Sequence, residues 1–185
     1  MGLIKTVRRN IMKTEKIILG GGCFWCLEAV YLQAEGIISA VSGYSGGHRE
    51  NPTYREVCEE TTGHAEVVLL EFEPEKISLE SILEIFWLIH DPTSLNRQGA
   101  DEGTQYRSAV YYMEDFQKET VMNSVQNQEK VIGKKIVTEI RKADKFYPAE
   151  DYHKNYYNLN PETSYCRYVI RPKLEKYIQF RKKAK

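Results

Sequence analysis

Ile17-Ile18-Leu19-Gly20-Gly21-Gly22-Cys23-Phe24-Trp25-Cys26 is the stretch from which the rest of the chain is read. A short apolar run leads in, three glycines break it, and an amphipathic run from Leu27 to Ala34 leads out. Strand, glycine turn and helix are expected in that order, with Cys23 at the helix N-terminus. Unpaired N–H groups and the positive end of the helix dipole converge there and favour an anion. A thiol so placed is expected to ionise more readily than a free cysteine.

Working outward, Phe24, Leu27, Val30, Tyr31 and Ala34 recur at helical spacing, and Gly36 is read as the cap that ends the helix. Ile37 to Tyr44 reads as the next strand, broken by Ser45-Gly46-Gly47. His48 to Gly63 is polar and aperiodic, a long loop of the kind that carries function in compact domains. Ala65 to Phe72 is a strong strand. Ser78 caps a helix from Leu79 to His90, with Leu79, Ile82, Leu83, Phe86 and Ile89 on one face. A second polar loop runs from Asp91 to Gln105. A strand from Tyr106 to Met113, a polar helix from Asp115 to Gly133 and a strand from Lys135 to Arg141 complete the order β-α-β-β-α-β-α-β. That order predicts an α+β fold, a ferredoxin-like α/β sandwich of two layers with helices packed on a mixed or antiparallel sheet. Beyond Asp144 a long, Tyr-rich, irregular C-terminal segment is expected, ending in a basic helix from Pro172 to Lys185. No linker or repeat interrupts the pattern, so residues 16–185 are read as a single domain behind a flexible basic leader at residues 1–15. Met1-Gly2 with Thr6 matches an N-myristoylation pattern, but a loose basic leader, with Met12 as a second start, is the preferred reading.

The 26 Lys and Arg balance the 26 Asp and Glu, which argues against nucleic-acid binding. No apolar run is long enough to span a bilayer, so no membrane association is expected. Four cysteines (Cys23, Cys26, Cys58 and Cys166) are few for a stapled secreted scaffold. Thiol chemistry or plain burial in a reducing, cytoplasmic compartment fits them better, and nothing in the chain demands more than a monomer. The 13 tyrosines can wall a pocket and still offer hydroxyls.

Three readings of Cys23-x-x-Cys26 stand side by side: a redox pair at a helix start, half of a metal site, or two buried thiols packed as small hydrophobes. The glycines weigh against the last, because they admit close approach to the backbone. Glu66 shares a strand face with Val68, Leu70 and Phe72 and should point inward with them; the pattern equally allows a strand-end carboxylate that reaches water. Turned inward, its charged form is disfavoured and it can act as a proton donor. Tyr54 and Tyr106 border the two polar loops and can serve as hydroxyl donors, although among 13 tyrosines a structural role is the preferred reading of either one alone. Asp101 looks like a turn-capping aspartate, and His64 and His153 are read as structural. Phe24 and Trp25 can wall an apolar pocket beside the thiol. Cys166, on an irregular segment, reads equally as a lone surface or core cysteine or as a thiol that can swing towards another, the layout of an enzyme that forms a sulfenic acid and resolves it as a disulfide.

Gly21-Gly22-Cys23-Phe24-Trp25 resembles the active-site signature of the A-type peptide methionine sulfoxide reductases. Further blocks resemble the family in family order: Gly43-Tyr44-Ser45-Gly46-Gly47, Asn51 to Cys58, Thr62-Gly63-His64-Ala65-Glu66, Phe86-Trp87 with His90-Asp91-Pro92, and Arg97 to Ser108. The likeness runs from Ile17 to Cys166. It implies that Cys23 attacks the sulfur of methionine-S-sulfoxide, free or in proteins, while protonated Glu66, with Tyr54 and Tyr106, donates to the sulfoxide oxygen. It further implies that Phe24 and Trp25 hold the substrate methyl group and that Asp101 supports the network around the thiol. Cys166 would resolve the sulfenic acid on Cys23 as a disulfide, which thioredoxin would reduce. No cofactor or metal is implied.

Two departures bear on the resolving step. Cys26 stands where many members lack a thiol and could compete as resolver, although neighbours on a first helical turn can point apart. The tail after Cys166 lacks the glycine-rich segment and second late cysteine of some members. Cys58 has no assigned role. The competing readings are a general dithiol–disulfide oxidoreductase using Cys23 and Cys26, and a Cys/His metal-binding module.

Overall fold

A computed structural model describes residues 13–183. The elements follow as β1 (Glu15–Gly20), α1 (Phe24–Tyr31), β2 (Ile37–Ser45), α2 (Tyr54–Cys58), β3 (Ala65–Phe72), α3 (Leu79–Ile89), the two-strand ribbon β4 (Arg97–Gln98) and β5 (Asp101–Glu102), β6 (Ala109–Tyr112), α4 (Asp115–Ile132), β7 (Glu139–Lys142), β8 (Phe146–Pro148), α5 (Tyr156–Leu159) and α6 (Arg171–Lys183). Four strands pair antiparallel in the order β6-β1-β3-β2, with α1 and α3 as the crossovers. This is the expected ferredoxin-like core. At one edge β7 adds parallel to β6, and at the other β8 adds antiparallel to β2, so the six-stranded sheet is mixed.

The central strands carry near-continuous apolar runs because both of their faces are buried. Ile17 and Leu19 of β1, Val68, Leu70 and Phe72 of β3 and Val110 of β6 face the helices. Ile18, Ala65, Val67, Ala109 and Tyr111 form a smaller cluster on the reverse face. The Ser78 hydroxyl caps α3 by accepting from the Ser81 N–H, and Leu79, Ile82, Leu83 and Phe86 turn inward. Each such side chain contributes about 1.5–3 kcal/mol on full burial. On α1 every residue but Trp25 is buried, so the helix is enclosed rather than amphipathic. The sheet covers one side of it, and α5, α6 and the turn before α6 cover the rest.

Several boundaries differ from the sequence reading. The loop after β2 contains α2, started by a capping box between Thr53 and Glu56; this Thr-x-x-Glu signal is present in the sequence. Helix α1 stops at Leu32 rather than at Gly36, which instead turns the chain into β2 with φ +94°. The strand read from Tyr106 starts at Ala109, because Tyr106 closes a 3-10 turn, and the strand read from Lys135 starts at Glu139. The segment after Asp144 is less irregular than expected. It holds β8, α5 and a π-turn over Cys166–Ile170 that runs directly into α6. Residues 1–12, with the myristoylation pattern and Met12, lie outside the described residues, and β1 begins at Glu15.

Candidate active site

Strand β1 ends beside β3, where Gly20 approaches the Glu66 carbonyl so closely that a Cβ would lie 3.2 Å from it. Gly22 then turns the chain with φ +85°; a Cβ here would meet the Gln98 side chain at 2.8 Å. Left-handed backbone and the crowding by β4 both demand glycine at this point. The Gly22 N–H donates to the Tyr106 carbonyl at 3.2 Å, tying the glycine turn before Cys23 to the second polar loop. Cys23 is the N-cap of α1, as expected.

The turn aims the first N–H of α1 at β3. The Phe24 N–H donates to Glu66 Oε2 at 3.1 Å, and the Cys23 thiol lies beside the same carboxyl. Glu66 is 1% exposed and does point inward with Val68, Leu70 and Phe72. Two effects oppose each other on it. Burial disfavours the charge, and the nearby Asp101 adds to that, whereas the Phe24 N–H and the thiol favour the charge. Burial wins, and the carboxyl pKa is pushed up to about 8. Most of Glu66 is therefore protonated at neutral pH.

The same physics overturns one expectation. The Cys23 thiol does not ionise more readily than a free cysteine; its pKa is raised well above the ordinary value. Burial is the largest cause, followed by the charges of Glu66 and Cys26. The helix N-terminus does contribute, through the Trp25 N–H, but that single donor is outweighed.

Tyr54, on α2, and Tyr106, at the end of the 3-10 turn, are both raised beyond the ordinary phenol range by burial and then by the charge of Glu66. They remain hydroxyl donors. Phe24 stacks on Tyr54 with ring centroids 6.5 Å apart. Trp25 stacks on Tyr156 at 3.6 Å and meets Tyr165 edge-on at 5.9 Å. Its indole N–H donates to His153 Nδ1 at 3.1 Å, and the His153 ring lies 4.9 Å from Phe24 and 4.6 Å from Tyr54. Glu150 braces the same wall. It accepts from the Tyr44 hydroxyl at 2.7 Å and from the Tyr54 N–H at 2.8 Å.

Asp101 accepts from the Tyr165 hydroxyl at 2.6 Å, and that hydroxyl also contacts the thiols of Cys23 and Cys26. A phenol has one proton. While it is given to Asp101, the Tyr165 oxygen can only accept from a thiol. Cys26 further contacts the Lys173 ammonium, yet burial still raises its pKa. Cys166, next to Tyr165, is fully buried in the π-turn rather than on a loose segment, and all four cysteines are free thiols. Cys23, Cys26 and Cys166 share one buried cluster. Cys58 is half-buried and contacts the Tyr54 hydroxyl.

The structure thus gathers Cys23, Glu66, Tyr54, Tyr106, Phe24, Trp25 and Asp101 at one place. Tyr156, His153, Glu150 and Tyr165 were missed as site residues, because short irregular segments carry no periodic signal; only the density of aromatics there hinted at a wall. His64 lies outside the site. It accepts from the Gly47 N–H at 3.0 Å and bonds the Arg49 carbonyl at 2.7 Å, locking the loop after β2. Among the described residues no group of three or more His, Cys, Asp or Glu side chains is arranged to hold a metal ion.

A buried thiol set against a neutral carboxyl and phenolic donors defines a thiol enzyme. Comparison with known proteins narrows the class. The family described as peptide methionine sulfoxide reductase matches residues 15–185. A peptide methionine sulfoxide reductase MsrA of Leptospira borgpetersenii is 54% identical over 165 residues, 89% of this chain and 94% of that one. One from Saccharolobus solfataricus is 53% identical over 165 residues, 89% of this chain and 93% of that one. Among solved structures, reduced Mxr1 from Saccharomyces cerevisiae superposes with a TM-score of 0.80 at 34% identity, over 88% of this chain and 94% of that one. The same yeast protein scores 0.64 in an unusual oxidised form, at 32% identity over 85% and 88% of the two chains. In complex with Trx2 it scores 0.57, at 26% identity over 82% and 91%. This chain belongs to the peptide methionine sulfoxide reductase family.

Proposed function

We propose that the chain reduces methionine-S-sulfoxide, free or in proteins, with Cys23 as nucleophile and Glu66 as acid. Cys23 sulfur attacks the sulfoxide sulfur, and Glu66 gives its proton to the sulfoxide oxygen while Tyr54 and Tyr106 donate hydrogen bonds to it. As a Cys23 sulfur–oxygen bond forms, the substrate's sulfur–oxygen bond and the transient sulfur–sulfur bond break; methionine leaves as a thioether, the oxygen is carried with its proton to Cys23 as a sulfenic acid, and the proton that Cys23 gave up restores Glu66. The Cys166 thiol then displaces that oxygen as water and forms the Cys23–Cys166 disulfide, which the dithiol of thioredoxin reduces. Phe24 and Trp25 enclose the methyl group. Asp101 acts through Tyr165, offering the phenol proton to a Cys23 thiolate as it forms. Neither a metal nor an organic cofactor enters these steps.

The observation that carries this reading is the Glu66 carboxyl, buried beside Cys23 and bonded to the Phe24 N–H, with burial pushing its pKa up to about 8. A sulfoxide oxygen departs from sulfur only when protonated, and a fully ionised carboxylate could not supply the proton. The yeast match supports the recycling step, because that protein was seen bound to Trx2 and superposes less well in its oxidised and bound forms than in its reduced form. A second reading of the resolver rests on one contact. The Cys26 N–H donates to the Cys23 carbonyl at 3.1 Å, placing both thiols on one turn. Peptide mapping after one equivalent of substrate separates the two. A Cys23–Cys166 disulfide is expected, and a Cys23–Cys26 disulfide would reassign the role. We read the protein as a monomeric cytoplasmic enzyme with one domain after its basic leader. Sedimentation tests the first point; among the described residues no helix is long and apolar enough to cross a membrane.

A further inference from the structure

Arg107 takes no part in the proton transfers above, yet its side chain is only 15% exposed. Its guanidinium faces two ways. On the sheet side, Nε donates to Glu139 Oε2 of β7 at 2.7 Å, and Nη2 donates to the Tyr111 hydroxyl of β6 at 3.2 Å. That hydroxyl donates in turn to the same Glu139 oxygen at 3.2 Å, which closes a triangle on two paired strands. A buried cation is costly unless it is paired and hydrogen-bonded, and the triangle meets both conditions. On the loop side, Nη1 donates to the Thr104 carbonyl at 2.9 Å and Nη2 to the Gly63 carbonyl at 3.0 Å. Thr104 opens the 3-10 turn that ends at Tyr106, and Gly63 lies just ahead of Glu66. The Thr104 N–H donates to Glu60 Oε1 at 2.9 Å, so the two loops are also tied to each other. Only a planar fork serves all these acceptors at once, because its N–H groups point in fixed directions, whereas a lysine ammonium is a single point.

We propose that Arg107 is a positioning residue for the reduction step, setting the Tyr106 hydroxyl against Glu66 by fastening the Tyr106 turn and the loop before Glu66 to the β6–β7 edge of the sheet. The proposal rests on the reading that Tyr106 and Glu66 both donate to the sulfoxide oxygen. Such donors work by being aimed in advance at the place where charge develops. A hydroxyl held slightly out of place therefore loses transition-state stabilisation and little ground-state binding. Arg107 reaches the reaction only through the backbone on which Tyr106 stands.

Arg107→Lys keeps the charge and removes the fork. In single turnovers the maximal rate of methionine release should fall about tenfold, the scale of one hydrogen bond, while the half-saturating sulfoxide concentration stays within about twofold of the parent. A Tyr106→Phe background then separates positioning from general damage. The hydroxyl that Arg107 places is absent there, so Arg107→Lys should lower the rate by less than about twofold further. A further drop as large as in the parent, or a loss confined to half-saturation, overturns the proposal. Glu139→Gln leaves the fork but weakens its hold on β7. It should give a smaller drop that Tyr106→Phe also cancels, and it decides the matter if Arg107→Lys does not fold; a drop that survives in the Tyr106→Phe background overturns the proposal. Amide hydrogen exchange gives a readout that needs no sulfoxide. Exchange over residues 60–64 and 103–107 should quicken in the variant while β1 and β3 stay as in the parent, and unchanged exchange in the two loops overturns the proposal as well. Absence of methionine release in the parent would instead remove the reductase reading, and exchange would still decide whether Arg107 fastens the turn.

Discussion

The two sides of the pocket are built in opposite ways. Cys23 and Glu66 stand on backbone that cannot easily move: β1 pairs with β3 on one side and β6 on the other, and α1 is enclosed. The facing wall, residues 149–170, has almost no ladder of its own. It consists of a 3-10 turn, the four-residue α5 behind Asn155 at φ +52°, and a five-residue π-turn. Elements this short do not stand alone. Side chains hold them instead: Glu150 on Tyr44 and Tyr54, His153 and Tyr156 on Trp25, Tyr165 on Asp101. The difference matches the two tasks. A nucleophile and its acid must be fixed within fractions of an ångström. In the proposed cycle the buried Cys166 joins Cys23 in a disulfide, and a wall held by a few side-chain contacts opens locally at low cost.

The largest expected effects break the fixed side. Cys23→Ser should abolish sulfoxide reduction in a methionine-release assay, and substantial residual activity would falsify the assignment of the nucleophile. Cys166→Ser, on the yielding side, should release one equivalent of methionine at the parental rate and then stop, with no thioredoxin-dependent cycling. Continued cycling would move the resolving role to Cys26.

Next in size is Glu66→Gln, which keeps the shape and removes the proton. The single-turnover reduction rate should fall about 10²–10⁴-fold, the usual worth of a general acid, while iodoacetamide still alkylates Cys23. In the parent the rate should decline as pH rises past about 8, where Glu66 loses its proton; in the variant that decline should vanish. Stability follows from the same shift. The carboxyl holds a proton in the folded state up to about 8, whereas the unfolded chain releases it near the ordinary glutamate value of about 4.3. Between those limits the folded state binds more protons, so stability falls as pH rises. Relative to the parent, Glu66→Gln should therefore melt higher at pH 9 than at pH 5. An equal difference at both pH values would show that Glu66 is ionised in the fold.

The same contrast explains what could be read in advance. The ferredoxin-like core was legible because the short apolar runs of β1 and β3 and the 3.6-residue stripe of α3 are local records of burial. Glu66 was legible as the one carboxyl on an apolar strand face. The Cys23 titration was not, because the helix N-terminus is a local feature, whereas the burial that outweighs it comes from distant segments folding over α1. The wall was illegible for the same reason. His153, Tyr156 and Tyr165 acquire their roles only through Trp25 and Asp101, between 64 and 128 residues away for the bonded pairs.

The smallest expected effect sharpens the comparison most, because it concerns the one hydroxyl that joins the two sides. Tyr165 gives its proton to Asp101, and in the proposed mechanism turns that proton to sulfur when the Cys23 thiolate forms. Removing the hydroxyl by Tyr165→Phe deprives the thiolate of a donor and should slow alkylation of Cys23 near pH 8 several-fold, up to about tenfold for one pKa unit. Asp101→Ala should act the other way. It frees the phenol proton for sulfur, so Cys23 should alkylate faster than in the parent. Opposite signs are required. If both variants slow alkylation alike, the pair merely packs the wall against α1, and Tyr165 has no part in activating the thiol.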